Sequence, residues 1–82
     1  MSRELPVRLN GGEVRRLRHA QHLTQKMLAV AVGRYQPDIS DMELGRMPHV
    51  YPATLAALAQ ALGVTMEDLV REEGGEGHRH GL

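Results

Sequence analysis

The side chains with chemistry to offer crowd into one stretch of the chain. Within or just beyond Thr24–Gly45 stand two primary amides (Gln25, Gln36), three cations (Lys26, Arg34, Arg46) and three carboxylates (Asp38, Asp41, Glu43). None of them is set up to make or break bonds: no paired carboxylates in an apolar pocket, no activated nucleophile and no phosphate-cradling glycine loop are visible. There are no cysteines, so neither a disulfide nor a thiolate metal site is available. His78 and His80 form a His-x-His pair, but no third ligand lies near them in sequence, and His19 and His22 fall near the end of a helix whose dipole accounts for them. The chain is therefore expected not to be an enzyme and to carry no metal or cofactor. Amides and cations suit another task, hydrogen bonding to the polar edges and charges of a partner.

The elements that position these groups read as two short helices pivoting at Gly33. Two helices that cross steeply at a tight glycine turn are how a small protein presents one of them to the major groove of DNA. Thr24 is a good N-cap for the first, 25–32, which is expected to bury Leu28, Ala29 and Val32. Gly33 ends it in the manner of a left-handed C′ residue. Proline pushes the residue before it out of the α region, so the second helix is expected to take Gln36 as its cap and Pro37 as its first helical position. Ile39 and Met42 then point inward, and Gly45 closes the helix.

Around this pair the rest of the chain supplies a scaffold. Residues 1–9 show no clear period and read as an N-terminal arm. Asn10 followed by Glu13 resembles a capping box that opens a helix over about 11–21, with Val14, Leu17 and Gln21 on one face. Pro52 opens another helix to residue 62, whose Leu55, Leu58, Ala59 and Leu62 recur at the spacing of a core-facing stripe. Thr65 with Asp68 starts a short fifth helix over 66–71, anchored by Leu69. From 72 to 82, Gly, Glu and His dominate, which predicts a disordered tail. The folded domain is thus expected over 10–71.

Composition agrees. Eighty-two residues with only Tyr35 and Tyr51 as aromatics must build a small core from Leu, Val, Ala, Ile and Met, which suits helices. No apolar run approaches the roughly 20 residues that span a bilayer, and no signal-peptide pattern opens the chain, so a soluble cytoplasmic protein is expected. Net charge is zero but uneven, with a balance of +3 over residues 1–46 and −3 over 47–82. The expected basic face falls on the half that holds the helix pair.

Together these residues resemble the Cro/phage-repressor helix-turn-helix family over about residues 10–70. The resemblance is carried by Arg18, Leu23-Thr24-Gln25, Leu28-Ala29, Gly33, Ile39-Ser40, Glu43, Gly45 and Leu58-Ala59-x-x-Leu62-Gly63-Val64, without a gap from Arg18 to Gly45. It implies an all-α, compact, five-helix lambda repressor-like fold with the helix-turn-helix at helices two and three. It implies a sequence-specific DNA-binding regulator, a repressor acting as a homodimer on a palindromic site. Carried over by position, Gln36, Asp38 and Asp41 face the bases with Pro37 and Ser40 close by. Gln25 lies beside the phosphate backbone and steadies Gln36 on adenine. Lys26, Arg34, Tyr35 and Arg46 complete the DNA-facing set, and Arg18 and Glu43 form an internal ion pair.

The chain departs from the family in placing Tyr35 where Ser or Thr usually caps the recognition helix, and in its acidic Asp38 and Asp41. Leu44 replaces the common Asn, and the following loop offers only Arg46 and His49 for phosphate. The acidic helix, with Leu44, Met47, Val50 and Tyr51 expected to be exposed, supports a second reading: a protein-interaction module on the same scaffold, such as an antitoxin or accessory factor. Val64, Met66 and Val70 are the candidate dimer surface.

Overall fold

A computed structural model describes residues 4–72. Helix α1 (Gly11–Ala20) starts at Asn10, whose side chain accepts the Glu13 N–H at 3.1 Å. That satisfies one of the donors every helix start leaves unpaired. Thr24 does the same for α2 (Gln25–Val32), accepting the Met27 N–H at 3.0 Å. Helix α3 spans Gln36–Leu44 and α4 spans Pro52–Leu62. The α1–α2 turn has no glycine, and His22 itself takes the left-handed conformation at φ 58°.

Proline at the head of α3 acts differently from the expectation. Tyr35 is the extended cap, with φ −99° and ψ 155°, so Gln36 is the first helical residue and Pro37 the second. The N–H that proline lacks has no partner inside the helix at either place, so the ring is accommodated one position further in. Helix α3 therefore starts one residue earlier than expected, and Gln36 stands in its first turn.

Among the described residues there are four α-helices, not five. Glu67–Leu69 forms a single 3₁₀ turn, although Thr65 and Asp68 do bond each other reciprocally, N–H to side chain, at 3.1 and 3.3 Å. A longer helix cannot grow here because Val70 swings into extended backbone to bridge Leu9. That bridge belongs to a small ribbon. Strand β1 (Val7–Arg8) pairs antiparallel with β2 (His49–Val50), Val7 opposite Val50 and Arg8 opposite His49. Asn10 donates to the Leu69 carbonyl and Arg71 to the Arg8 carbonyl, both at 2.8 Å. The stretch read as an arm thus supplies two strand residues and, in Leu9, a buried core side chain. The proposed tail lies outside the described residues from Glu73 onward, and so do His78 and His80.

The core gathers Leu55, Leu58, Ala59 and Leu62 of α4 with Val14 of α1, Leu28 and Ala29 of α2, and Ile39 and Met42 of α3. Val32 is only half-buried at its margin. Gln21, expected to share the inner face of α1, instead donates its amide to the Leu62 carbonyl at 2.7 Å and so caps the end of α4. These contacts leave α2 and α3 anchored from behind, with the outer side of α3 open.

Candidate nucleic-acid interface

Gly33 makes the angle between α2 and α3. It sits at φ 72°, and the next N–H, of Arg34, donates back to the Ala29 carbonyl at 2.8 Å. Nothing lies within 4 Å of a Cβ added at Gly33, so the glycine is required by its backbone conformation and not by crowding. Helix α3 then buries Ile39, Met42 and Glu43 and turns Gln36, Pro37 and Leu44 to solvent, with Ser40 and Asp41 half-exposed between them. Among these, Pro37, Ser40, Asp41 and Leu44 follow the i, i+3, i+4, i+7 spacing of a single face.

Behind that face runs a chain of polar contacts. The Glu43 carboxylate, its side chain 2% exposed, accepts from Arg18 Nε at 2.6 Å and Nη2 at 2.9 Å. Its Oε1 also accepts from Gln25 Nε2 at 3.1 Å. Gln25 Oε1 in turn accepts from Gln36 Nε2 at 2.8 Å. Arg18 spends Nη1 on the Leu23 carbonyl at 2.8 Å and places Nη2 3.1 Å from His19 Nε2. Gln25 and Gln36 are therefore brought together at the edge of α3 and tied to the buried ion pair.

Burial pushes the Glu43 carboxyl toward a higher pKa, but hydrogen bonds from Arg18 and then Gln25, with the Arg18 charge, bring it below its ordinary value. The same contact holds the Arg18 guanidinium above its own. A carboxylate whose folded pKa is depressed adds stability that is whole above its unfolded pKa and is lost as pH falls through the folded one. The expected result is a melting temperature that begins to drop as pH falls past the ordinary glutamate value of 4.5, more steeply than in Glu43→Gln. Thermal melts at half-unit pH steps check this.

The two aspartates on α3 each carry their own cation. Asp38 accepts from Arg34 Nη1 at 3.3 Å, and Arg34 Nη2 reaches across to Thr54 Oγ1 of α4 at 3.2 Å. Arg34 is thus a strut between the turn, α3 and α4. Asp41 is loosely paired with Arg46 at 3.9 Å, and its backbone carbonyl accepts the N–H groups of Arg46 and Met47. Lys26 and Tyr35 are exposed, Tyr35 by 81%. Next to Gln36, the start of α2 forms a depression of about 530 Å³ whose lining includes Arg18, His19, His22, Gln25 and Lys26. Arg18 is paired there with Glu43, but Lys26 is exposed, and a helix N-terminus beside a lysine suits an anionic oxygen.

Two expectations about exposed apolar residues need correction. Val50 is buried at 4% because it pairs in the ribbon, and Met47 packs partly against the core, whereas Leu44 and Tyr51 stand 60% and 57% exposed. Val64 and Val70 likewise pack on the core, leaving Met66, of the three suggested dimer residues, as the exposed one. Sequence reading missed Thr54, twenty residues from Arg34 with nothing local to link them, and missed the Gln25–Glu43 contact that joins the two glutamines to the ion pair. Nothing local links that pair either, eighteen residues apart in the chain.

A family model for the helix-turn-helix domain matches residues 11–72. The chain belongs to the Cro/repressor-like helix-turn-helix family. Its helix-turn-helix is α2, the Gly33 turn and α3. The fold is shared with the restriction-modification controller protein C.AhdI from Aeromonas hydrophila, at 29% identity and a TM-score of 0.66 over 71% of this chain and 86% of that one. It is shared equally with the clp gene regulator ClgR from Corynebacterium glutamicum, at 31% identity and a TM-score of 0.66. That match covers 71% of this chain but only 61% of ClgR. No curated protein matches the chain. Among the described residues of this helix-turn-helix protein, no helix is long and apolar enough to cross a membrane, and no cluster of three or more His, Cys, Asp or Glu is placed to hold a metal ion.

Proposed function

We propose that this chain is a sequence-specific DNA-binding transcriptional regulator, a cytoplasmic repressor that reads the major groove with α3 as a homodimer. The observation that carries the reading is the Gln36–Gln25 hydrogen bond at the leading edge of α3, beside the cationic seat at the start of α2. In the bound state that seat takes a phosphate oxygen, with Lys26 and the first N–H groups of α2 around it. Gln36 reaches a base edge. Pro37 and Ser40 line the groove wall, and Tyr35 lies against the backbone at the turn. Arg46 leaves its loose partner for phosphate, which frees Asp41 to accept from cytosine N4. Arg34 stays with Asp38 and Thr54, so Asp38 positions the turn and does not meet a base.

The restriction-modification controller and clp gene regulator that share the fold support a regulatory role. One domain of this size covers too little DNA for high selectivity, and two half-sites about 10 base pairs apart double the contacts. Selection from random duplexes at moderate salt is expected to enrich a palindrome of that spacing, with light scattering reporting a dimer on it. No enriched sequence at any salt concentration sinks the reading.

Leu44 and Tyr51, both more than half exposed, favour as the second reading a protein-interaction module. A co-purified protein partner together with absent or salt-insensitive DNA binding distinguishes it.

A further inference from the structure

Glu43 is buried against Arg18, yet it fixes what Gln36 can show to a base. The reason is hydrogen-bond polarity. An ionised carboxylate accepts and cannot donate, whereas a primary amide has one end of each kind. Glu43 Oε1 therefore forces Gln25 to turn its Nε2 inward. Gln25 Oε1 must then face outward, and it can be met only by a donor, which is Gln36 Nε2 at 2.8 Å. Gln36, exposed to solvent, keeps its second N–H and its carbonyl oxygen outside this chain of bonds.

We infer that Glu43 is a positioning residue for base recognition, setting through Gln25 the amide orientation in which Gln36 offers a donor and an acceptor together. That pair matches adenine, whose N7 accepts and whose N6 amino group donates, and mismatches guanine, which offers two acceptors on the same edge. The relay is built before any partner arrives, so no amide has to be sorted at the moment of binding. It is robust because Arg18 anchors its inner end with two bonds to the same carboxylate. Glu43→Gln removes the constraint: an amide at 43 can turn either end toward Gln25, and both orientations of Gln25 and Gln36 become available. The inference rests on the DNA reading given above.

The test is the random-duplex selection repeated with four proteins: wild type, Gln36→Ala, Glu43→Gln and Gln25→Met. Gln36→Ala locates the base pair that Gln36 reads, as the position where its preference vanishes. At that base pair the adenine-over-guanine preference of Glu43→Gln and of Gln25→Met is expected to fall about tenfold, while the preferences at the other positions of the half-site hold. A merely structural role for Glu43 lowers preference at every position alike. Glu43→Gln is assayed below its own melting temperature. Gln25→Met leaves the Arg18–Glu43 pair intact and decides the matter if Glu43→Gln does not fold. A wild type that selects a site, with these variants keeping its adenine preference, overturns this inference alone. A wild type that selects nothing overturns the DNA reading and this inference with it.

Discussion

Arg18→Met is expected to lower the free energy of unfolding by about 3–5 kcal/mol. The magnitude comes from what is left behind. Glu43 has a side chain only 2% exposed and would keep one amide donor, Gln25, in place of a guanidinium that makes two charge-assisted bonds to it. The Leu23 carbonyl loses its donor as well. Methionine fills much the same volume as the arginine stem, so the loss reports electrostatics and not a cavity. The control follows from the same argument. Arg18→Met with Glu43→Leu removes both charges and is expected to recover most of the loss, because an apolar pair in that site has no stranded charge to solvate. Urea unfolding at neutral pH measures both. A single-variant loss below about 1 kcal/mol, the range of an exposed pair, shows that water reaches the site and that Glu43 is not held as described.

What the sequence revealed and what it hid divide along range. Asn10, Thr24, Gly33, Gly45 and Gly63 mark helix ends by chemistry that acts within one turn, and each stands at such an end. The core stripe of α4 was legible because its period is a property of one helix. The ribbon was not, since two residues per strand are too few for an alternation to register. Its formation depends on Leu9 meeting Val70 across the whole chain, and the same bridge cut the expected last helix to one 3₁₀ turn. At the interface, side-chain types pointed to hydrogen bonding in the segment Thr24–Gly45, but the partners came from outside local rules. Asp38 and Asp41 read in sequence as acids on a groove-facing helix, and the fold sets Arg34 and Arg46 beside them. Gln25 and Gln36 are placed by family resemblance, and only the packing of α2 on α3 ties them to Glu43.

Gly11 is the position whose importance the sequence concealed most completely, because it reads as one of two interchangeable glycines opening α1. They are not interchangeable. A methyl group added at Gly11 overlaps the Met42 carbonyl oxygen outright and stands 2.9 Å from its carbonyl carbon and 3.2 Å from the Glu43 Cα. All three atoms are backbone, inside α3, so no side-chain rotation relieves the clash. One added at Gly12 meets nothing nearer than Asn10 Oδ1 at 3.6 Å, an ordinary contact. Gly11→Ala is therefore expected to cost about 3 kcal/mol, the upper end of the overpacking range. Gly12→Ala is expected to be neutral or to stabilise by about 0.5–1 kcal/mol, since alanine is the better helix former and loses less freedom on folding. The two add the same methyl one position apart, so composition and unfolded-state effects cancel between them. The damage in Gly11→Ala also has a direction: α3 can yield only by moving Glu43 away from α1, which carries Arg18. Amide shifts in the folded fraction of Gly11→Ala should therefore centre on Met42 and Glu43 and extend along the polar relay to Gln25 and Gln36. Gly11→Ala with wild-type stability and no such shifts would mean that α1 and α3 are not in backbone contact, and that the recognition helix is braced by side chains alone.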